Sequence, residues 1–186
     1  MVEKLKVPFK RFVIDKQEFN DLQIAFVRAG IKNIEIPTDH ILKAITYQLA
    51  EDYDIKYIIS GGNHSTEGIM PESYGEDPND LRFIKDVFRK QMKRELKKIP
   101  LISLQDYIYY RFIKGIKVIN LLDFFNYNRD KSIELLSKEY DYRPYGNKHC
   151  ESLYTQWFQN WYLPVKWNID KRKAHFSSLI NSGQMM

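Results

Sequence analysis

Residues 57–68 read YIISGGNHSTEG, an apolar run that stops abruptly at two glycines. The run from Lys56 to Ile59 is compact and apolar, which is typical of a buried strand. The glycine-containing residues 60–63 that follow indicate a sharp turn. The segment therefore predicts a strand whose carboxyl end leads into the kind of turn where open α/β sheets bind ligands.

The elements on either side extend this pattern of alternating strands and helices, which predicts an α/β fold with a parallel sheet. Hydrophobic spacing, capping residues and proline positions set the expected boundaries. We expect a strand at 10–15, a helix at 17–29 closed by Gly30, an extended connector at 34–37, a helix from Thr38 to about Asp54, a loop at 70–79, and an amphipathic helix at 80–98 ended by Pro100.

The C-terminal half is richer in aromatic residues. Helix and strand compete over residues 103–125, whereas helices are expected from an N-cap at Asn128, over 150–163, and from an N-cap at Asp170. We therefore predict a partial parallel-sheet, Rossmann-like core over residues 1–100. A mostly helical region over 101–186 is expected to pack on it within one domain.

Composition limits the class of protein. The 186 residues are 44% apolar and 28% charged, as in soluble globular proteins, and no apolar run approaches the roughly 20 residues that span a bilayer. The lone Cys150 cannot form an internal disulfide, which fits a cytoplasmic location. The net charge of +5 suits anionic partners such as nucleotides. The basic helix at 80–98 is interpreted as a solvated face, and no nucleic-acid partner is expected.

Four motifs carry candidate chemistry, and each has a plainer structural explanation. The glycines of residues 60–63 would let a backbone approach a nucleotide phosphate, although a tight turn without ligand explains them equally well. This segment is not the SGGxDS loop of PP-loop ATP pyrophosphatases, because His64 stands where that loop has aspartate. Asp39 and His40 could contact a sugar or a reactive carbonyl, or simply favour a helix start.

The other two motifs lie near the C-terminus. Lys148 could neutralise phosphate while His149 and Glu151 handle protons. Cys150 is interpreted as a buried small residue, since no glycine-rich elbow surrounds it to form an oxyanion hole. Three cations, Lys171, Arg172 and Lys173, follow Asp170 and indicate either anion binding or a solvated helix start. The four histidines lack zinc-site spacing, so no metal site is predicted, although Mg²⁺ could accompany ATP.

Seven segments occur in an order that resembles the N-acetyl sugar amidotransferase family of surface-polysaccharide and nonulosonic-acid pathways. Nearly the whole chain takes part in the resemblance. The segments are DLQIAF (21–26), IPTDH (36–40), YIISGGNHSTEG (57–68), DLRFIK (80–85), YGNKHCES (145–152), LP (163–164) and DKRKAHFSSLINSGQ (170–184).

The resemblance implies an adenine nucleotide α-hydrolase-like fold that uses ATP and Mg²⁺ to activate the acetamido oxygen of a sugar or nucleotide sugar. Ammonia from a partner glutaminase then gives an acetamidino group, in lipopolysaccharide O-antigen or nonulosonic-acid biosynthesis. A cyclase-like subunit is a further expected partner. Compared with the family, the phosphate loop expected before Met1 and the segment expected after Met186 are absent. The chain is therefore interpreted as a fragment, a split gene or an inactive remnant.

The same resemblance assigns roles to individual residues. Ser60, Gly61, Gly62 and Asn63 would line ATP or the activated intermediate. Asp39, His40 and Glu67 would face the sugar or the activated carbonyl. Phosphate binding or proton transfer would fall to Lys148, His149, Lys171, Arg172 and His175.

Two alternatives remain open at this point. One is another PP-loop ligase or a tRNA thiolase, although a thiolase usually needs more than one cysteine. The other is a non-catalytic remnant that only binds partner subunits or anions.

Overall fold

The computed structural model describes residues 2–144 and 152–185, which fall into two compact units. The N-unit comprises Val13–Ser60 and Glu72–Ile119, and the C-unit comprises the described parts of 1–12, 61–71 and 120–186. In chain order, the elements are helices α1 (Val2–Leu5), α2 (Lys16–Ala29) and α3 (Ile36–Asp52), strand β1 (Tyr57–Ser60), helices α4 (His64–Glu67), α5 (Leu81–Met92) and α6 (Leu104–Ile108), strand β2 (Lys117–Asn120), and helices α7 (Arg129–Tyr140), α8 (Leu153–Trp157), α9 (Leu163–Trp167) and α10 (Lys171–Asn181).

Helix α2 of the N-unit confirms the helix predicted at residues 17–29. Its N-terminus is capped by the Asp15 carboxylate, which accepts a hydrogen bond from the backbone N–H of Glu18 at 2.8 Å. Its C-terminus is closed by Gly30, whose φ of 69° is the left-handed conformation that glycine adopts without strain. The strand predicted at residues 10–15 is wrong, because these residues have no ladder partner and Asp15 serves as the cap.

Helix α3 begins two residues before the predicted start at Thr38. Pro37 lies in its first turn, where a missing backbone N–H costs no hydrogen bond. The predicted extended connector at residues 34–37 is therefore wrong, because residues 34–35 form a turn and residues 36–37 begin the helix. The prediction of a helix ending near Asp54 is confirmed to within two residues.

Helix α5 ends at Met92, six residues before the predicted end, and Lys93 has a left-handed φ of 56°. The next turn is held by the buried carboxylate of Glu18 on α2. It accepts hydrogen bonds from the backbone N–H groups of Lys97 at 3.0 Å, Lys98 at 2.6 Å and Ile99 at 2.9 Å. In a helix continued to residue 98 these N–H groups would point to its own carbonyls, so their capture by Glu18 is incompatible with the predicted end.

The sheet consists of the neighbouring parallel strands β1 and β2 in the described residues. Burial alternates along β1, and Tyr57 and Ile59 are 60% and 68% exposed, so the prediction of a buried strand is wrong. Ile58 on the other face packs against a core that includes Ala44, Tyr47 and Ile116. The mixed α/β class is confirmed, with about 60% helix, whereas a Rossmann-like core stays a prediction.

The C-unit is built mainly from helices. Asn128 and Asp170 cap α7 and α10, as predicted, by accepting hydrogen bonds from backbone N–H groups one turn ahead. Helix α8 runs through a π-helical turn, Phe158–Tyr162, into α9 and buries Phe158 and Leu163 completely. None of the helices within residues 2–144 and 152–185 combines the length and apolarity needed to cross a membrane.

Candidate functional site

The α4–α10 junction joins two of the seven segments on which the family resemblance depends. The Ser178 hydroxyl on α10 accepts a hydrogen bond from the backbone N–H of Ile69 at 3.0 Å. The Ser182 hydroxyl donates to the carbonyl of Ser65 at 3.0 Å. Two side-chain hydrogen bonds thus hold together residues that are more than a hundred positions apart in sequence.

Asn63 is buried and fixes the start of α4. Its side-chain oxygen accepts hydrogen bonds from the backbone N–H of Thr66 at 2.9 Å and from the Thr66 hydroxyl at 3.1 Å. At the other end of α4, a Cβ on Gly68 would lie only 2.6 Å from the His64 carbonyl oxygen. The predicted ligand residue Asn63 is therefore a helix cap in this structure, and Gly68 is required by packing.

Gly61 differs from Gly68 because the fold does not require a glycine there. No heavy atom lies within 4 Å of a Cβ built on Gly61, and its φ lies outside the left-handed region. Open space beside a backbone is compatible with the close approach of a phosphate. The role predicted for Gly61 thus fits the local geometry, and the roles of Gly62 and of Ser60, the last residue of β1 in the N-unit, stay predictions.

His64 and Asp123 form a pair that the sequence analysis missed. Asp123 Oδ1 accepts a hydrogen bond from the His64 backbone N–H at 2.7 Å, and Oδ2 lies 2.7 Å from His64 Nδ1. The backbone N–H of His64 is the main reason that the pKa of Asp123 lies below its usual value. The signal in the sequence is the carboxylate of Asp123 within the otherwise apolar LLDFF stretch of residues 121–125.

Two further predicted catalytic residues lie on the helices of the α4–α10 junction. His175 on α10 places Nδ1 3.4 Å from the Thr66 carbonyl oxygen. Glu67 on α4 is exposed. Burial is the main cause that raises the pKa of Tyr127, and the negative charge of Glu67 raises it further. The structure therefore brings Glu67 and His175 to the same small region of the C-unit.

The cations at the start of α10 that are predicted to bind phosphate each have a neighbouring partner. The Arg172 guanidinium donates two hydrogen bonds to the Asp170 carboxylate, at 2.8 Å and 2.7 Å. The Lys171 ammonium lies 5.4 Å from the centre of the Phe158 ring. A phosphate bound here would compete with Asp170 for Arg172, so these residues fit the triphosphate of ATP only in part.

His40 lies in the N-unit and is almost completely buried. Its Nδ1 lies 2.8 Å from the Pro78 carbonyl oxygen, and its Nε2 accepts a hydrogen bond from the Ile102 backbone N–H at 3.2 Å. Both ring nitrogens thus hold the backbone, and burial lowers the pKa of the ring. The catalytic roles of His40 and of the exposed Asp39 in the first turn of α3 stay predictions.

The motif around Lys148 and His149 lies outside the described residues, together with Cys150 and Glu151. Within residues 2–144 and 152–185, no group of three or more histidine, cysteine or acidic side chains is arranged to hold a metal ion. The use of Mg²⁺ with ATP stays a prediction.

Three cations of the predicted basic face on α5 and the following turn pair with neighbouring carboxylates. Arg94 pairs with Asp21 at 2.6 Å and with Glu18 at 3.3 Å, and Lys98 pairs with Asp15 at 3.2 Å. Arg89 pairs with Asp86 within α5. This pairing supports the interpretation of a solvated, structural surface.

Comparison with known proteins identifies similarity at the C-terminus. Residues 151–186 match the family model described as the C-terminal domain of WbpG-like LPS biosynthesis proteins. The matched region contains α8, α9 and α10, and therefore one side of the α4–α10 junction. No curated protein and no solved structure matches the chain.

Proposed function

We propose that this chain is part of an ATP-dependent amidotransferase that converts a sugar N-acetyl group to an acetamidino group in lipopolysaccharide biosynthesis. The observation that carries the proposal is the α4–α10 junction. It holds α4, from the second half of YIISGGNHSTEG, against α10 in DKRKAHFSSLINSGQ, and the latter segment lies within the region similar to WbpG-like LPS biosynthesis proteins.

The reaction requires activation, because nitrogen donates electron density into an amide carbonyl and makes it a poor electrophile. The acetamido oxygen attacks a phosphorus atom of ATP, releasing pyrophosphate or ADP. Ammonia then forms the new C–N bond, and the C–O bond breaks with its electron pair on the oxygen that leaves in AMP or phosphate. ATP thus supplies the leaving group, and the protein must position the reactants and exclude water.

The C-unit offers residues for the protein's share of this work. Gly61 leaves space beside the backbone for a phosphate, and Asn63 fixes the turn through its cap on α4. Lys171 and Arg172 supply positive charge at the start of α10, and a bound phosphate would displace Asp170 from the guanidinium. At the α4–α10 junction, Glu67 would face the sugar or the activated carbonyl, and His175 would bind phosphate or assist proton transfer.

A separate glutaminase would supply ammonia, and a cyclase-like subunit is a further proposed partner. A Rossmann-like, adenine nucleotide α-hydrolase-like core and a cytoplasmic location belong to the same proposal. Residues Lys148 and His149 retain their proposed roles in phosphate binding and proton transfer.

The test supplies the purified full chain with ATP, Mg²⁺, ammonium chloride and a panel of nucleotide-linked N-acetyl sugars, since free ammonium replaces the glutaminase. Mass spectrometry should detect replacement of oxygen by NH in one sugar, together with release of AMP or ADP. A reaction without ATP is the control. If every sugar is recovered unchanged while the chain is folded, the proposed activity is wrong.

A further inference from the structure

His64 is held in a single orientation by one carboxylate. Asp123 accepts a hydrogen bond from the backbone N–H of His64 at 2.7 Å and lies 2.7 Å from the ring Nδ1 through its second oxygen. One carboxylate thus binds both the main chain and the ring of the same residue. This two-point contact restricts rotation of the imidazole about its side-chain bonds.

The contact also fixes which nitrogen carries the proton. An ionised carboxylate only accepts hydrogen bonds, so Nδ1 of neutral His64 must be the donor. The proton on Nδ1 leaves a lone pair on Nε2. The His64 side chain is 81% exposed whereas the Asp123 side chain is 22% exposed, so the ring extends from a sheltered carboxylate towards solvent.

The other described histidines differ in this respect. The ring nitrogens of His40 lie against the backbone of Pro78 and Ile102, and Nδ1 of His175 faces the carbonyl of Thr66. His64 is thus the histidine in the described residues that combines a carboxylate partner with an exposed ring. It also lies three residues after Gly61, the position with open space beside its backbone.

We propose that His64 is the general base that accepts a proton from the attacking ammonia, and that Asp123 is its positioning residue. The inference rests on the proposed amidotransferase function. As the nitrogen lone pair forms the C–N bond, the nitrogen becomes positively charged and would be expelled again unless it loses a proton. Transfer of that proton to Nε2 leaves a neutral amine, and the C–O bond then breaks towards AMP or phosphate.

The first experiment separates activation from amination in the full chain. His64→Gln should still consume ATP with the N-acetyl sugar, because activation precedes ammonia attack. Its yield of amidine per ATP should fall about 100-fold, since water then returns the activated sugar to the N-acetyl form. Glu134→Gln, an exposed charge change on α7 of the same unit, is the matched control and should keep the wild-type ratio.

The second experiment has a readout that does not depend on turnover. Nitrogen NMR of the labelled full chain should show neutral His64 with its proton on Nδ1. Asp123→Asn should reduce the population of that tautomer and lower amidine formation, while Asp123→Glu should restore part of both. A wild-type spectrum with the proton of neutral His64 on Nε2 would overturn the assignment of Asp123.

The outcomes distinguish the two proposals. If the wild-type chain forms no amidine with any sugar, the amidotransferase function is contradicted. The role proposed for His64 is then contradicted as well. Wild-type chain that forms amidine while His64→Gln forms it within about twofold of that rate refutes the general base alone. Equal losses of ATP consumption and amidine formation in His64→Gln would instead place His64 in substrate binding or activation, which also contradicts the proposed role.

Discussion

Ser178 accepts a hydrogen bond from the backbone N–H of Ile69 at 3.0 Å, across 109 positions of sequence. Ser178 is 2% exposed, so water does not replace its hydroxyl as a partner for this N–H. The contact links the end of the YIISGGNHSTEG region to the centre of α10. Together with the hydrogen bond from Ser182 to the Ser65 carbonyl at 3.0 Å, it connects the two segments that the proposed function requires to act together.

Removal of the Ser178 hydroxyl should therefore loosen the α4–α10 junction. Ser178→Ala leaves the Ile69 N–H without its partner and should lower the free energy of unfolding by about 1–2 kcal/mol. Hydrogen exchange at the Ile69 amide should accelerate. The control is Ser177→Ala on the same helix, because the exposed Ser177 hydroxyl only donates to the carbonyl of Lys173 at 2.8 Å. Equal effects of the two substitutions would contradict the importance of this contact.

Substitution by alanine should lower the stability of the protein at Gly75 but leave it unchanged at Gly61. A Cβ on Gly75 would lie 2.8 Å from the Cβ of Asn33, whose backbone N–H donates to the carboxylate of Glu76. Gly75→Ala should therefore destabilise the N-unit by about 1–3 kcal/mol, measured by urea unfolding. Gly61→Ala meets no atom within 4 Å and should unfold as the wild type does.

The same Gly61→Ala variant tests the phosphate-binding role of the turn. If the open space beside Gly61 receives a phosphate, the added methyl group should weaken ATP binding in calorimetric titration without reducing stability. Wild-type affinity for ATP in Gly61→Ala would remove Gly61 from the proposed site.

Glu18 should make the N-unit sensitive to acid. Burial opposes ionisation, but hydrogen bonds from the backbone N–H groups of Lys98, Lys97 and Ile99 and from Arg94 outweigh it and lower the pKa of Glu18 below 4.5. A carboxyl with a lowered pKa in the folded state contributes stability above its unfolded pKa. That contribution is lost as the pH falls from about 4.5 through the folded value.

Glu18→Gln should cost about 2 kcal/mol at neutral pH, because the charge-assisted hydrogen bonds are lost, and should reduce the slope of stability below about pH 4.5. Unfolding titrations at several pH values measure both effects. Glu95→Gln is the control. Glu95 is exposed, and its ion-pair partner Arg89 lies 3.7 Å away. An unchanged acid slope in Glu18→Gln would show that other groups cause it.

His40 should add a separate pH dependence at higher pH. Burial lowers the pKa of His40 below 6.5, an effect that Lys43 reinforces and that the Pro78 carbonyl partly opposes. The unfolded chain therefore binds the proton more readily than the folded one. Stability should be complete above about pH 6.5 and should fall as the pH is lowered towards the folded pKa.

His40→Gln should weaken the dependence of stability on pH near pH 6.5. It should also destabilise the N-unit by about 1–3 kcal/mol, because Gln cannot bind both the Pro78 carbonyl and the Ile102 N–H. Gln105→Ala, an exposed position of the same unit with no titratable side chain, is a suitable comparison and should retain the slope. A full catalytic loss in His40→Gln with unchanged stability would instead favour the catalytic role predicted for His40.

The elements that could be predicted from sequence are those whose ends are fixed locally. Gly30 ends α2, and Asn128 and Asp170 start their helices, because each cap acts within one turn of its own residue. The end of α5 could not be predicted in this way. It depends on Glu18, a residue about 80 positions away that captures the backbone of residues 97–99.

The candidate site was predictable only in part for the same reason. The sequence indicated Gly61, Glu67 and His175, but their grouping depends on the packing of α4 against α10, which no local pattern encodes. Asp123 is marked in the sequence only as a carboxylate within an apolar stretch, and its contact with His64 makes it a candidate. The exposure of Ile59 likewise depends on how many strands flank β1, which the apolar pattern of residues 56–59 does not reveal.

The most direct measurement follows the acetyl oxygen. A nucleotide-linked N-acetyl sugar carrying heavy oxygen in its acetyl group is incubated with the full chain, ATP, Mg²⁺ and ammonium, and the products are separated by mass. We predict that the heavy oxygen leaves the sugar and appears in AMP or phosphate in proportion to the amidine formed. Heavy oxygen that stays in the sugar while ATP is consumed would contradict it.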